Sequence, residues 1–309
     1  MTSDIPQRWP IKRLLLVLGL AATAYAMALL LWGDQRLSLN VLWSAAGLQA
    51  AGLCLLSYAL RGLRWRLWMA HYGRHFGWVE GLRLYLAGFA FTPTPGNVGE
   101  ALRGLMLTQK PLPMLQSLAI FGAERLADLL CLLLLCVPSA LWLVKQSAFD
   151  GLPVWLMLLA GAVLLVVAVV AVVAWRNRQS LLQRMGWLQE AWLCLSVRPL
   201  VWFGLTLVAW AAQGLAVWLI CRALDLQILV LTATSIYAVA MVAGALSALP
   251  AGLGGMELVL TSLLVAQSAS TAQALTITVL ARLVTLWLAV AVGMLALLYS
   301  AVFRKDIRL

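Results

Sequence analysis

The chain is poor in charge. Of 309 residues only 11% are Asp, Glu, Lys or Arg, with 11 acids and two histidines, whereas a soluble domain carries about 25% charged residues. That scarcity excludes an intrinsically disordered chain and an ordinary soluble enzyme. No GxxxxGK[ST] phosphate loop is present, so ATP hydrolysis is not expected. GxSxG and HExxH are absent too, and with them the usual signs of a serine hydrolase or a zinc protease. The five cysteines (Cys54, Cys131, Cys136, Cys194, Cys221) form no CxxC pair and lie in or near apolar runs. They read as buried reduced thiols and exclude a disulfide scaffold. His71 and His75 are spaced i, i+4, but no acid or cysteine completes a ligand set beside them, so neither a metal nor a cofactor is expected.

Apolar residues dominate instead, at 64% with a mean hydropathy of +0.96. A spanning helix needs about 20 apolar residues. Runs of that kind occupy 14–32, 40–60, 115–144, 154–174, 199–221 and 273–300. The first is too long for the roughly 7–15-residue core of a signal peptide and reads as a retained span. Two more stretches, about 84–105 and 233–265, are interrupted by Pro and Gly. The expected fold is therefore all-α. It is a polytopic integral membrane protein of six full spans plus two broken re-entrant hairpins, about eight membrane segments, in one membrane domain over 1–309.

The net charge of +11 points to membrane orientation rather than to nucleic acid. With the N-terminus inside, Arg8, Lys12 and Arg13 lie inside, as do Arg61, Arg64, Arg66, Arg74, Arg83, Arg103 and Lys110. Arg176, Arg178, Arg184 and Arg198 follow, then Arg304, Lys305 and Arg308. Only Arg36, Lys145 and Arg222 fall outside. This is the positive-inside pattern, and it predicts a bacterial cytoplasmic (inner) membrane protein with both termini cytoplasmic. Trp32, Trp43, Trp142 and Trp155 flank the outer loops as interfacial anchors. Segment 61–83 is expected to include an interfacial amphipathic helix, and 178–195 reads as another.

The two interrupted stretches match each other. Pro93-Thr94-Pro95-Gly96-Asn97-Val98-Gly99-Glu100 pairs with Pro250-Ala251-Gly252-Leu253-Gly254-Gly255-Met256-Glu257, and Arg125-Leu126 with Arg282-Leu283, all offset by 157 positions. The orientation count makes the halves, about 61–144 and 222–303, inverted. The remainder is two leading spans (14–60) and a connecting span with a cytoplasmic amphipathic segment (154–200). Inverted repeats with broken helices place transporter sites at the repeat interface.

Breaks at Pro95, Gly96, Asn97 and Gly99, and at Pro250, Gly252, Gly254 and Gly255, would expose backbone N–H groups that favour anions. The alternative is kinked packing, with Glu100 and Glu257 capping those groups. Arg103 lies one turn after Glu100, while Glu124 and Asp128 share a helix face with Arg125 turned about 100° away. Arg125 and Arg282 fall deep in their spans, where a guanidinium needs a partner. Glu257 or Glu100 is the candidate for Arg282, either as an ion-pair staple or as a pair that opens for a phosphate.

Together Pro95-Gly96-Asn97-Val98-Gly99-Glu100-x-x-Arg103, Glu124-Arg125-x-x-Asp128, Pro250-x-Gly252-x-Gly254-x-x-Glu257 and Arg282-Leu283-Val284-Thr285 resemble the flippase-like family. This is the transmembrane region of lysylphosphatidylglycerol synthetase, or multiple peptide resistance factor. In the synthetase that region moves the aminoacylated lipid to the outer leaflet. The chain stops at Leu309 directly after its last span, so a stand-alone member without the aminoacyltransferase domain is expected. Such members resemble handlers of varied lipids, including polyprenyl-linked sugars and hopanoids, so the substrate does not carry over. The resemblance implies a lipid translocase rather than an enzyme. Arg103, Arg125 and Arg282 would bind phosphate, and Glu100, Glu257, Glu124 and Asp128 would pair with them, carry protons or accept an amine. The expected partners are membrane lipids and an anionic or lipid-linked substrate, with no nucleic acid. Two other readings stand beside it: a non-transporting partner that presents lipid to a separate transferase or glycosyltransferase, and an integral-membrane transferase using Glu100 or Asp128 as base.

Overall fold

The computed structural model describes residues 39–93, 98–101, 103–108, 111–150, 176, 186–247, 249–304 and 307. The expected spans at 14–32 and 154–174 and the break residues Pro95, Gly96 and Asn97 lie outside the described residues. Within them the chain is helical, without strands. A 3₁₀ turn (Leu39–Trp43) leads into α1 (Ala45–His71), then come α2 (Trp78–Ala87), running into a 3₁₀ turn at Gly88–Phe91, and the single-turn α3 (Val98–Ala101). After α4 (Met114–Asp150) follow α5 (Gly186–Ser196), α6 (Pro199–Ala223), α7 (Val230–Leu246), a 3₁₀ turn at Pro250–Gly252 and α8 (Gly255–Ala266). The last helix, α9 (Thr271–Arg304), has 34 residues and widens into π turns at Leu283–Trp287 and Ser300–Arg304.

Among the described residues two helices, Pro199–Ala223 and Thr271–Arg304, are long and apolar enough to cross a membrane. Helix α4 shows how such a chain packs without water. Ala119, Ala123, Ala127 and Cys131, four apart, are fully buried, and small residues at that spacing let helix backbones approach closely. The opposite side exposes Leu126, Leu130, Leu134, Val137 and Leu141, an apolar surface suited to lipid. Pro138 removes one helical donor from α4, and the next amide, of Ser139, donates to Ser235 Oγ of α7 at 2.8 Å.

Local sequence explains the helix ends. Ser44 and Ser270 cap α1 and α9, their hydroxyls accepting from the amides of Gly47 at 3.3 Å and Gln273 at 3.2 Å. Gln273 then ties α9 to the end of α6, its Nε2 donating to the Leu224 carbonyl at 2.6 Å.

The interrupted stretches occupy corresponding places. Val98 and Gly255 each begin the helix after a break, and Met114 and Thr271 each begin the long helix that follows; both pairs stand 157 positions apart. In the second stretch the break rests on backbone geometry. Gly252 (φ 66°) and Gly254 (φ 87°) sit in the left-handed region, as does Ala251 (φ 53°), a conformation glycine reaches without strain and alanine does not. The first stretch is held by α9. A Cβ on Gly293 would lie 2.5 Å from the Ala90 amide nitrogen and 2.9 Å from the Leu86 carbonyl oxygen, so α9 packs directly on the backbone of the α2 turn.

Segment 61–83 divides between two helices: residues up to His71 continue α1, and a new helix starts at Trp78. Arg61 and Arg64, counted among the inside charges, are 8% and 0% exposed, packed within the helix bundle. Arg103, also counted among the inner charges, is 4% exposed. The apolar run predicts only that α1 is long enough to span; the helix runs on for 27 residues and carries its first arginines into the packed interior.

Candidate functional site

The corresponding glutamates and arginines pair in the same way. Glu100 accepts from Arg125 Nη2 at 3.2 Å, and Glu257 accepts from Arg282 Nε at 2.6 Å, each across 25 residues of sequence. Arg282 therefore finds its partner in its own stretch. Arg125 and Arg282 each stand eleven residues after the first residue of their helix, about 16 Å along the axis at 1.5 Å per residue. That is about half of a 30 Å hydrocarbon layer.

The two pairs differ in exposure. The Arg282 and Glu257 side chains are 3% and 8% exposed, whereas Arg125 is 40% exposed beside a Glu100 at 4%. Arg282 Nη2 also donates to the carbonyls of Ala251 at 3.2 Å and Gly252 at 3.1 Å. Glu257 accepts from the Gly254 amide at 2.7 Å, so it caps its helix and neutralises Arg282 at once. The second break thus presents carbonyls to an arginine, and one of its amides is taken by Glu257, the capping that stood in the sequence as the alternative to open amides facing an anion. Glu100 accepts from Thr92 Oγ1 at 2.9 Å.

The acids on α4 have separate partners. Glu124 accepts from Arg103 Nη1 at 3.4 Å, and Arg103 also lies 3.8 Å from Glu100. The Arg103 guanidinium rests over Tyr85, 4.4 Å from the ring centre, and passes where a side chain on Gly88 would stand. Asp128 Oδ1 accepts from Arg64 Nη1 at 2.6 Å and from Trp210 Nε1 at 3.2 Å, while its Oδ2 lies 3.4 Å from Arg125. Arg125 and Asp128 stand three residues apart on α4, about 60° round the helix, so the long guanidinium reaches across. Arg64 Nη1 further donates to Thr206 at 2.9 Å, so Asp128 joins α1, α4 and α6 at one node.

These groups surround a cavity of about 330 Å³. Phe89, Thr92 and Glu100 enter its wall from the first interrupted stretch, and Ala251, Gly252 and Met256 from the second. Arg61, Arg125 and Arg282 line it together with the aromatic rings of Tyr58, Phe121, Trp210 and Tyr237. The structure therefore brings Arg125, Arg282 and Glu100 to one cavity and holds Glu257 and Asp128 directly behind its arginines. Arg103 and Glu124 sit together in a separate crevice with Glu100, large enough for about one water at roughly 10 Å³, so Arg103 is not part of the main wall. Gly254 and Gly255 shape the second break from outside the cavity lining, and Gly99 falls within α3.

Tyr58 and Arg61 are the site residues that the sequence reading missed. The π turn after Arg282 releases backbone carbonyls, and the Tyr58 hydroxyl donates to those of Thr285 at 2.6 Å and Val284 at 3.2 Å. Arg61 lies on the same side of α1. The signal was present: Ala50, Cys54, Ser57, Arg61, Arg64 and Trp68 recur every three or four residues, one face of one helix.

Helices with apolar outer faces and charged groups gathered about a cavity among them define an integral membrane protein with a polar site. The chain belongs to the family described as the lysylphosphatidylglycerol synthase TM region, whose model matches residues 16–293. No curated protein matches it.

Proposed function

We propose that the protein is a lipid translocase of the bacterial cytoplasmic membrane, with both termini cytoplasmic. It moves a lipid with a phosphate-containing headgroup, a phospholipid or a polyprenyl-phosphate-linked sugar, between leaflets. The observation that supports this reading is the cavity itself. Two interrupted stretches, read as re-entrant hairpins of an inverted repeat, each supply part of its wall, and three arginines line it with a single carboxylate. At about 330 Å³ it stands at the small end of ligand-sized cavities, with room for a headgroup while the acyl chains stay in lipid. Membership in a family described by a lipid-modifying synthase fits a lipid substrate. The chain acts as a carrier rather than an enzyme on this reading, because among the described residues each buried carboxylate is held by a guanidinium.

The test is reconstitution into liposomes carrying headgroup-labelled phosphatidylglycerol, with the label in the outer leaflet quenched chemically, with and without a proton gradient. Faster crossing than in empty vesicles, lost in Arg125→Gln, is expected. Crossing no faster than in empty vesicles for several anionic phospholipids and a polyprenyl phosphate sugar rejects the reading.

A further inference from the structure

Among the described residues, five arginines and four carboxylates line the cavity, stand behind its wall or fill the adjoining crevice. Each carboxylate has a matching guanidinium: Glu100 with Arg125, Glu124 with Arg103, Asp128 with Arg64 and Glu257 with Arg282. The fifth arginine, Arg61, makes no ion pair among the described residues. Its Nη2 reaches Ser57 Oγ at 3.3 Å, its guanidinium lies over the Trp210 ring at 4.4 Å, and its Nε is buried with no hydrogen-bond partner. The residue is 8% exposed and lines the cavity. A buried charge without a counter-charge is strongly unfavourable, and a guanidinium on an indole face is held by the ring but not neutralised.

We infer that Arg61 receives the phosphate of the transported headgroup, and that the cavity's one surplus positive charge matches it to a singly charged phosphodiester. This deepens the translocase reading and rests on it for the lipid nature of the ligand. Arg125 and Arg282 keep their carboxylates, so a diester docking on Arg61 breaks no existing pair. A dianionic monoester would leave one negative charge unmatched. A planar guanidinium suits such an oxyanion better than an ammonium does, because two parallel N–H groups can meet two oxygens.

The experiment measures binding to the purified protein in uncharged maltoside micelles, using dihexanoylphosphatidylglycerol, dihexanoylglycerol and inorganic phosphate as probes. The wild type is expected to bind the phospholipid at least about tenfold tighter than the diacylglycerol, the scale of one hydrogen-bonded charge. Arg61→Gln should lose about tenfold or more, Arg61→Lys about threefold or more, and Arg222→Gln, outside the cavity, nothing. Arg61→Lys keeps the charge over Trp210 and serves as the deciding variant if Arg61→Gln does not fold, as judged by its thermal unfolding. Arg61 variants that bind like the wild type overturn the inference, as does equal affinity for the diacylglycerol. Inorganic phosphate displacing the phospholipid at equal concentration would make the ligand free phosphate and overturn the lipid assignment. Vesicle crossing is measured separately. Binding that depends on Arg61 without crossing keeps the inference and removes the translocase reading; crossing unchanged in the Arg61 variants does the reverse.

Discussion

Replacing Arg282 by Met should destabilise the protein far more than replacing Arg125, although the two arginines occupy matching places. Arg282→Met leaves the Glu257 carboxylate in a site where its side chain is 8% exposed, with the Gly254 amide as its remaining partner. It also removes the donor to the Ala251 and Gly252 carbonyls. Breaking a buried pair from one side costs about 3–5 kcal/mol. Arg125 is 40% exposed, and without it Glu100 retains the Thr92 hydroxyl and the nearby Arg103, so its loss is nearer that of a partly exposed pair, about 1 kcal/mol. At about 2 °C or more per kcal/mol, thermal unfolding followed by tryptophan fluorescence should fall by about 6 °C or more for Arg282→Met and about 2 °C for Arg125→Met. Glu257→Gln added to Arg282→Met should recover part of the loss, since no lone carboxylate then remains buried. Equal shifts for the two single variants, or no recovery in the double, would refute the claim that exposure separates the pairs.

Two further outcomes follow from the packing. Gly293→Ala forces a Cβ to within 2.5 Å of backbone in the first interrupted stretch, whereas Gly52→Ala meets nothing within 4 Å; the first should lose about 1–3 kcal/mol and the second gain up to about 1 kcal/mol, and similar unfolding temperatures for both would contradict the close approach. Cys194 of the short α5 is buried and donates to the Tyr72 hydroxyl, itself bonded to Glu190. Burial chiefly, with Glu190 nearby, pushes its thiol up to about 11. Since only the thiolate reacts, maleimide labelling of a variant retaining Cys194 alone should be slow at pH 7 and climb through pH 9; a plateau below pH 9 would contradict it.

The second break, the shared offset and the matching places of Arg125 and Arg282 along their helices could be read from the chain because Pro, Gly and ionisable residues are rare against an apolar background. The partners could not be read in full. Sequence spacing left Arg282 open to either glutamate, and three-dimensional packing chose Glu257. The burial of Arg61 and Arg64 was hidden for a different reason. A basic run at the end of an apolar helix signals an inner boundary by composition, yet rotation about the helix axis decides which of its members face water. Arg66, two residues past Arg64, reaches the Phe76 carbonyl at 2.7 Å and stays half-buried, while Arg64 on the packed face is sealed from solvent.

The wide turn that follows Arg282 gives the last helix a residue to spare. Such a surplus can migrate along a helix, and each residue it passes swings by about a hundred degrees, one step of the α-helical screw. Tyr58 grips its present location through the Thr285 and Val284 oxygens. Letting go of that grip would re-aim the Arg282 guanidinium while Gly293, further down the same rod, stayed seated against the first stretch: a pivot confined to a few residues, needing no travel of the helix as a whole.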